Sequence, residues 1–214
     1  MELNNALADF RNQGMKVWPA DLVAVLTRHP RDLVDSADPA KFAGVGAPVG
    51  GFTLPDADGT DVTLDELTAD GPAVLVFYRG QWCPYCNLTL RAYQAEVVPE
   101  LGKHGARMAA ISPQLPDGSV AVKESNGLGF PVLSDVGNVV ARAFGLTFTV
   151  DEDVRPTMIK IGADLEKHNG DWELAHPAVV VVDSDRTIRF VDVHPDYTTR
   201  TEPERILAAL RQRS

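Results

Sequence analysis

The stretch AVLVFYRGQWCPYCNLTLR, Ala73 to Arg91, decides how this chain is read, because it joins a buried strand to a helix and carries both cysteines of the 214-residue sequence. Its first six residues are a continuous run of β-prone apolar side chains, as in a strand covered on both faces. Proline is tolerated at the first helical position, since the amide it lacks would be unpaired there anyway. Pro84 therefore opens a helix, Cys83 is its cap, and Cys86 is its third residue. A capping side chain faces the free amides of the next residues, and the helix end presents about half a positive charge. Both effects favour thiolate over thiol, and cysteines so placed titrate at roughly 3.5–7.5 rather than about 8.5. Cys86 lies one turn further on the same side, within disulfide reach of a cap residue.

Three readings of the pair compete. A structural zinc site needs four ligands, but the sequence has only two cysteines, and its five histidines show no paired metal spacing. Two inert core thiols would sit in an apolar stripe, whereas these are flanked by Arg79, Gln81 and Trp82. The reading that remains is a redox pair, with no metal and no cofactor. Arg79 is a candidate to steady the thiolate and orient substrate. Trp82 and Tyr85 read as packing side chains, and His176 as a solvated loop histidine.

Working outward, residues 1–43 read as an N-terminal helical extension. Leu3, Ala6, Leu7 and Phe10 share a face, and a second helical segment runs from Pro19 to about Thr27. The extension is expected to pack on the main domain or on a second subunit, so a homodimer is possible. The Gly/Pro-rich GVGAPVGG opens a second region, residues 44–214. There FTLPDADGTDVTL reads as a β-hairpin, a long helical stretch follows the cysteines to about His104, and ARMAAIS is a second buried strand. Asn138 to Phe144 forms a helix, and AVVVVD and TIRFVDV flank a turn at Ser184 to Arg186. TEPERILAAL is a last helix with Thr201 as cap and Glu204 reaching back. Residues from about Val150 to Ala175 show no period. Strand–helix–strand units ending in a hairpin and helix specify an α/β sheet layered with helices.

The net charge is −10, with 44% hydrophobic and 23% charged residues. That charge argues against a nucleic-acid partner, and no apolar run approaches a membrane span. The first residues lack a signal-peptide pattern, so the cytoplasm is the expected compartment. In a reducing compartment a lone Cys-x-x-Cys is catalytic or metal-binding more often than a brace.

The sequence resembles the thioredoxin superfamily, and within it the peroxiredoxin-like branch of the alkyl hydroperoxide reductase/thiol-specific antioxidant group. The matching stretches are APVGGFTLPDADGTDVTL, GPAVLVFYRGQWCPYCNLTLR, AAISPQLPDGS, FPVLSDVGNVVARAFGL, PAVVVVDSDRTIRF and DYTTRTEPERIL. The resemblance implies a thioredoxin-like fold, with a central mixed sheet flanked by helices. It also implies reduction of peroxides, or of disulfides, by cysteine thiols that a thioredoxin-like or other thiol donor regenerates. The peroxiredoxin pattern Pro-x-x-x-Thr-x-x-Cys places Cys86 in the peroxide-reactive slot, Cys83 in the threonine slot and Arg79 in the proline slot. The downstream arginine slot is Pro177, which the thioredoxin resemblance makes a candidate cis-proline against the sulfurs. Asp196, Tyr197 and Arg200 belong to a matching stretch with no role beyond tying down the C-terminal segment. Capping electrostatics select Cys83 as the attacking sulfur and the family register selects Cys86. The first is preferred, because its physical reason applies to this sequence. The alternatives to a peroxidase are a protein disulfide reductase and a non-enzymatic thiol sensor.

Overall fold

A computed structural model describes residues 2–212. Helices α1 (Leu3–Val17) and α2 (Ala20–Ser36) come first, followed by the hairpin β1 (Thr53–Pro55) and β2 (Asp61–Thr63) and the short α3 (Leu64–Thr68). The core then runs β3 (Ala73–Phe77), α4 (Pro84–Glu96), α5 (Val98–Leu101), β4 (Arg107–Ser112), α6 (Pro116–Asn126), β5 (Val132–Ser134) and α7 (Val139–Ala143). An excursion follows, built of β6 (Thr147–Thr149), α8 (Arg155–Lys160), α9 (Leu165–His168) and β7 (Glu173–Ala175). The chain closes with β8 (Ala178–Val182), β9 (Ile188–Val193) and α10 (Pro203–Arg211).

Five strands form one sheet in the order β5-β4-β3-β8-β9, with β3, β4 and β5 parallel and β8 and β9 antiparallel to their neighbours. It is the mixed, helix-flanked sheet that the resemblance implies. The central strand β3 is buried at every position, because both faces are covered. Val74 and Val76 point into a core shared with α1, α4 and α10. Leu75 and Phe77 point into another core, shared with α3 and α7. This sandwich fixes the end of β3, and with it the cysteine-bearing turn.

α1 packs against α4, and Phe10 meets Tyr85 edge-on at 5.3 Å between ring centroids. Its first amides are capped from the far end of the chain. The Glu202 carboxylate accepts from the backbone N–H of Leu3 and Asn4, both at 2.8 Å. Asn4 in turn donates to the Arg200 carbonyl and accepts from the Arg200 N–H, again at 2.8 Å. This clasp departs from the capping box read in the sequence. Pro203 takes the first position of α10, so Glu202 is the cap residue, and the Thr201 hydroxyl donates to Asp192 instead. Glu202→Ala is expected to lower stability by about 1–2 kcal/mol, as loss of a helix cap does. Urea unfolding measures that loss, and faster amide exchange at residues 3–7 would localise it.

α2 also differs from expectation. It continues past Thr27 and through Pro30 to Ser36, because His29, Pro30 and Leu33 are buried and packing holds the turn that proline weakens. The excursion, without period in the sequence, has a small core of its own. Val150, Val154, Met158, Leu165, Trp172 and Leu174 cluster there, with Val25 of α2 and Trp82 packed against them.

Candidate active site

The turn from β3 to α4 is made by glycine. Gly80 has φ +153°, and a β-carbon there would lie 2.5 Å from Trp82 Nε1, so no other residue fits without displacing the indole. The Cys83 N–H donates to the Gly80 carbonyl at 3.1 Å and closes the turn. Cys83 is the cap residue and Pro84 opens α4, as the sequence indicates.

The sulfurs do not behave as the capping argument expects. Cys83 makes no side-chain capping bond and is only 1% exposed. Burial pushes its thiol well up, and so do its hydrogen bond to Cys86 and the charge of that neighbour. Cys86 is the partner whose thiol is lowered. Burial alone would raise it, but a hydrogen bond from Cys83, the Arg200 guanidinium, and the amide and charge of Arg79 together hold it well below the ordinary thiol value. Arg200 Nη2 donates to Cys86 Sγ at 3.2 Å and the Arg79 backbone N–H donates at 3.5 Å. The physical reason for the reversal is direct. A charge-assisted bond from a buried guanidinium outweighs a partial helix charge toward which the Cys83 side chain is not turned.

Arg200 is the residue that reading the sequence missed. It reaches Cys86 across 114 positions and is itself held by the carbonyls of Tyr197 and Thr199, each at 2.6 Å. It brings a guanidinium to the sulfur, whereas the slot at which the resemblance implies an arginine holds Pro177. Pro177 is buried at the head of β8 and its carbonyl accepts from His194 N–H at 2.8 Å. Its peptide bond is trans, as are all those among the described residues, so the cis expectation is corrected. Strand pairing of β8 with β3 at Ala178↔Phe77 begins at the very next residue, which holds the chain extended there.

Arg79 is buried rather than a surface charge. Its guanidinium stacks over Tyr197 at 3.9 Å and Trp82 at 4.7 Å. His176 is likewise buried, stacked on Phe148 at 4.5 Å, and not solvated. Burial, helped by the Arg79 charge, holds His176 down at about 4, and the same causes lower His29 to about 4. Tyr85 and Tyr197 are pushed up to about 12, chiefly by burial.

Two cavities adjoin the sulfurs. A small one of about 10 Å³ touches Cys86, Thr89, Tyr93, His194, Arg200 and Thr201, room for about one water. A larger one of about 330 Å³ touches Cys83 but not Cys86. Its walls come from α2, α8 and the cysteine turn, so the N-terminal extension and the excursion both border the site. Among the described residues, no group of three or more His, Cys, Asp or Glu is arranged to hold a metal ion. No described helix is long and apolar enough to cross a membrane.

A mixed sheet whose buried strand delivers a polarised dithiol to a helix start defines a thioredoxin-fold thiol protein. Comparisons with known proteins narrow this. A model of the AhpC/TSA family matches residues 45–191. A Mycobacterium tuberculosis protein named as a peroxiredoxin is 32% identical over 120 residues, covering 48% of this chain and 74% of the relative. Chloroplastic peroxiredoxin Q of Gentiana triflora is 33% identical over 95 residues, covering 44% of this chain and 43% of that protein. The crystal structure of the peroxidoxin BcpB of Mycobacterium tuberculosis superposes with TM-score 0.63 at 26% identity, covering 79% of this chain and 98% of that one. A peroxiredoxin-like protein of Aquifex aeolicus shares the fold with TM-score 0.62 at 14% identity, over 79% of this chain and 87% of that one. The chain belongs to the AhpC/TSA family, as a peroxiredoxin-like oxidoreductase of the thioredoxin superfamily.

Proposed function

We propose that the protein is a thiol-dependent peroxidase, acting on hydrogen peroxide or small organic hydroperoxides, in which Cys86 attacks and Cys83 resolves. The observation that carries this reading is the Cys86 sulfur, which accepts from Arg200 Nη2 and the Arg79 amide and whose thiol is thereby lowered. The thiolate attacks one peroxide oxygen, the O–O bond breaks, and the departing oxygen leaves as alcohol or water after taking a proton. Cys86 is then a sulfenic acid. The Cys83 sulfur displaces its hydroxyl as water and closes the disulfide. Two equivalents of an external thiol, available in a reducing compartment such as the cytoplasm, return both sulfurs to the starting state.

The decisive experiment adds one equivalent of hydrogen peroxide to the reduced protein in stopped flow. The expected result is loss of two thiols per peroxide, through a sulfenate that dimedone traps, at least about a hundredfold faster than free cysteine, as suits a lowered thiol pKa beside a guanidinium. Reactivity no better than free cysteine, with rapid reduction of insulin disulfides, would instead assign a protein disulfide reductase. The burial of both sulfurs speaks against that second reading, since Cys83 and Cys86 are 1% and 0% exposed.

A further inference from the structure

The peroxide step just described assigns no role to the larger cavity. That cavity borders Cys83 and leaves the attacking sulfur to the small cavity behind it. Most of its wall is apolar, contributed by Leu22, Val25 and Leu26 of α2, Met158 of α8, and Val154 and Ile161 at its ends. Three polar side chains interrupt that lining. Arg79 Nε, His29 Nε2 and Trp82 Nε1 are all buried and lack any hydrogen-bond partner, and all three residues line the cavity. Arg79 is 4% exposed and His29 1%. Among the described residues no carboxylate pairs with Arg79, and aromatic faces meet its charge.

Arg79, His29 and Trp82 thus bring polar side chains to an otherwise apolar wall, and buried polar groups are nearly always satisfied in folded proteins. A positive side chain among them specifies an anion, and the flat fork of a guanidinium suits a carboxylate. The apolar wall specifies a hydrocarbon body. The volume lies at the lower end of the roughly 300–1,000 Å³ typical of small-molecule sites. An occupant here touches Cys83, the sulfur that carries no reaction with peroxide in the cycle above.

We propose that this cavity seats a small thiol bearing a carboxylate on an apolar chain, which reopens the Cys83–Cys86 disulfide by attack on Cys83. The inference rests on the peroxidase reading above and names its reductant. The ligand thiolate forms a bond to Cys83 Sγ, the disulfide bond breaks, and its electron pair stays on Cys86. Cys86 leaves as the thiolate that Arg200 and the Arg79 amide already stabilise, which makes it the better leaving group. A second thiol molecule loses its proton to solvent and attacks the ligand sulfur of the mixed disulfide. The products are the ligand's own disulfide and Cys83, which takes up a proton.

The test uses full-length protein oxidised with diamide, so that no peroxide chemistry is needed to form the disulfide. The probes are 6-mercaptohexanoate, its neutral match 6-mercaptohexanol, and 2-mercaptoethanol. The expected result is that 6-mercaptohexanoate reduces the protein at least about tenfold faster than 6-mercaptohexanol. Leu26→Trp, which fills the cavity, should bring the ratio near one, and Ile161→Trp at its mouth serves if the first variant does not fold. A ratio near one in the wild type, or one that survives both substitutions, overturns the proposal. So does a carboxylate preference that shows in oxidation by hydroperoxides and not in reduction by thiols, since the cavity would then serve the peroxide. Failure of the reduced protein to react with peroxide, alongside a preserved thiol ratio, sinks the peroxidase cycle and leaves the seat in place.

Discussion

Reduced Cys86→Ser protein is expected to lose its reaction with hydrogen peroxide down to background, a drop of at least about a thousandfold, as removal of a nucleophile gives. Cys83→Ser should behave in the opposite way. Its replacement hydroxyl can still donate a hydrogen bond to the Cys86 thiolate, so oxidation should continue within about tenfold of wild type. It should stop at a sulfenate that dimedone labels on Cys86, because no second sulfur is present to displace the hydroxyl. The two variants must be compared at matched thermal stability, since either change touches a buried cluster. Fast oxidation of Cys86→Ser with an inert Cys83→Ser would return the attack to the cap residue and overturn the assignment. The contrast is sharp because the two sulfurs share one hydrogen bond and only one of them also receives a guanidinium.

The second large effect is expected at Arg200. Its guanidinium donates directly to Cys86. Removing an opposite charge at that range raises a thiol pKa by about 1–3. The sign follows from the reacting species. Only thiolate attacks, so a lowered thiol extends the wild-type rate toward acid, and the rate falls as acid protonates Cys86. In Arg200→Met the midpoint should move up. At a pH below both midpoints the rate should fall by about 10- to 1,000-fold, a factor of ten for every pH unit that the midpoint climbs, and alkali should restore it. Arg200→Lys keeps the charge but loses the planar fork that also holds the carbonyls of Tyr197 and Thr199, so it should recover part of the rate. Stopped-flow oxidation from about pH 5 to 9 measures all three proteins across the range where thiols titrate. A profile for Arg200→Met that is scaled down without moving along the pH axis would show a scaffold role only.

Stability should carry the same signature. Cys86 titrates lower in the folded state than unfolded, so ionisation contributes stability above the unfolded thiol value, and that contribution is lost as pH falls through the folded midpoint. Cys83 runs the other way. Its raised value means that its neutral form favours the fold below the unfolded midpoint, and that the advantage fades as pH rises through the folded one.

Much of the fold is legible because its signals are local. The unbroken run from Ala73 to Phe77 can only be a strand covered on both faces, and Pro84 marks where the next helix begins. The hairpin around Asp-Ala-Asp-Gly and the turn before β9 carry their own turn residues. The excursion is opaque for the opposite reason. Its pieces are three to six residues long, too short for a period, and they are held by a shared core that includes α2. At the site, the position of each cysteine on its helix is readable, but its charge state is not. Helix position sets a partial charge, and the decisive full charge arrives from Arg200, whose neighbours Thr199 and Thr201 give no hint of a sulfur partner. Pro177 shows a related limit: a slot read along the sequence gives no sign of a guanidinium that arrives from elsewhere in space.

The stretch matched by the family, residues 45–191, contains both sulfurs and Arg79 but stops short of Arg200 and of Tyr197. The inner wall of the larger cavity likewise begins outside it, on a helix that ends at Ser36. The surroundings of the sulfurs and the wall of the cavity therefore both draw on residues beyond the family stretch. Substitutions in the flanking helix α2 can reshape the cavity beside Cys83 without touching either sulfur.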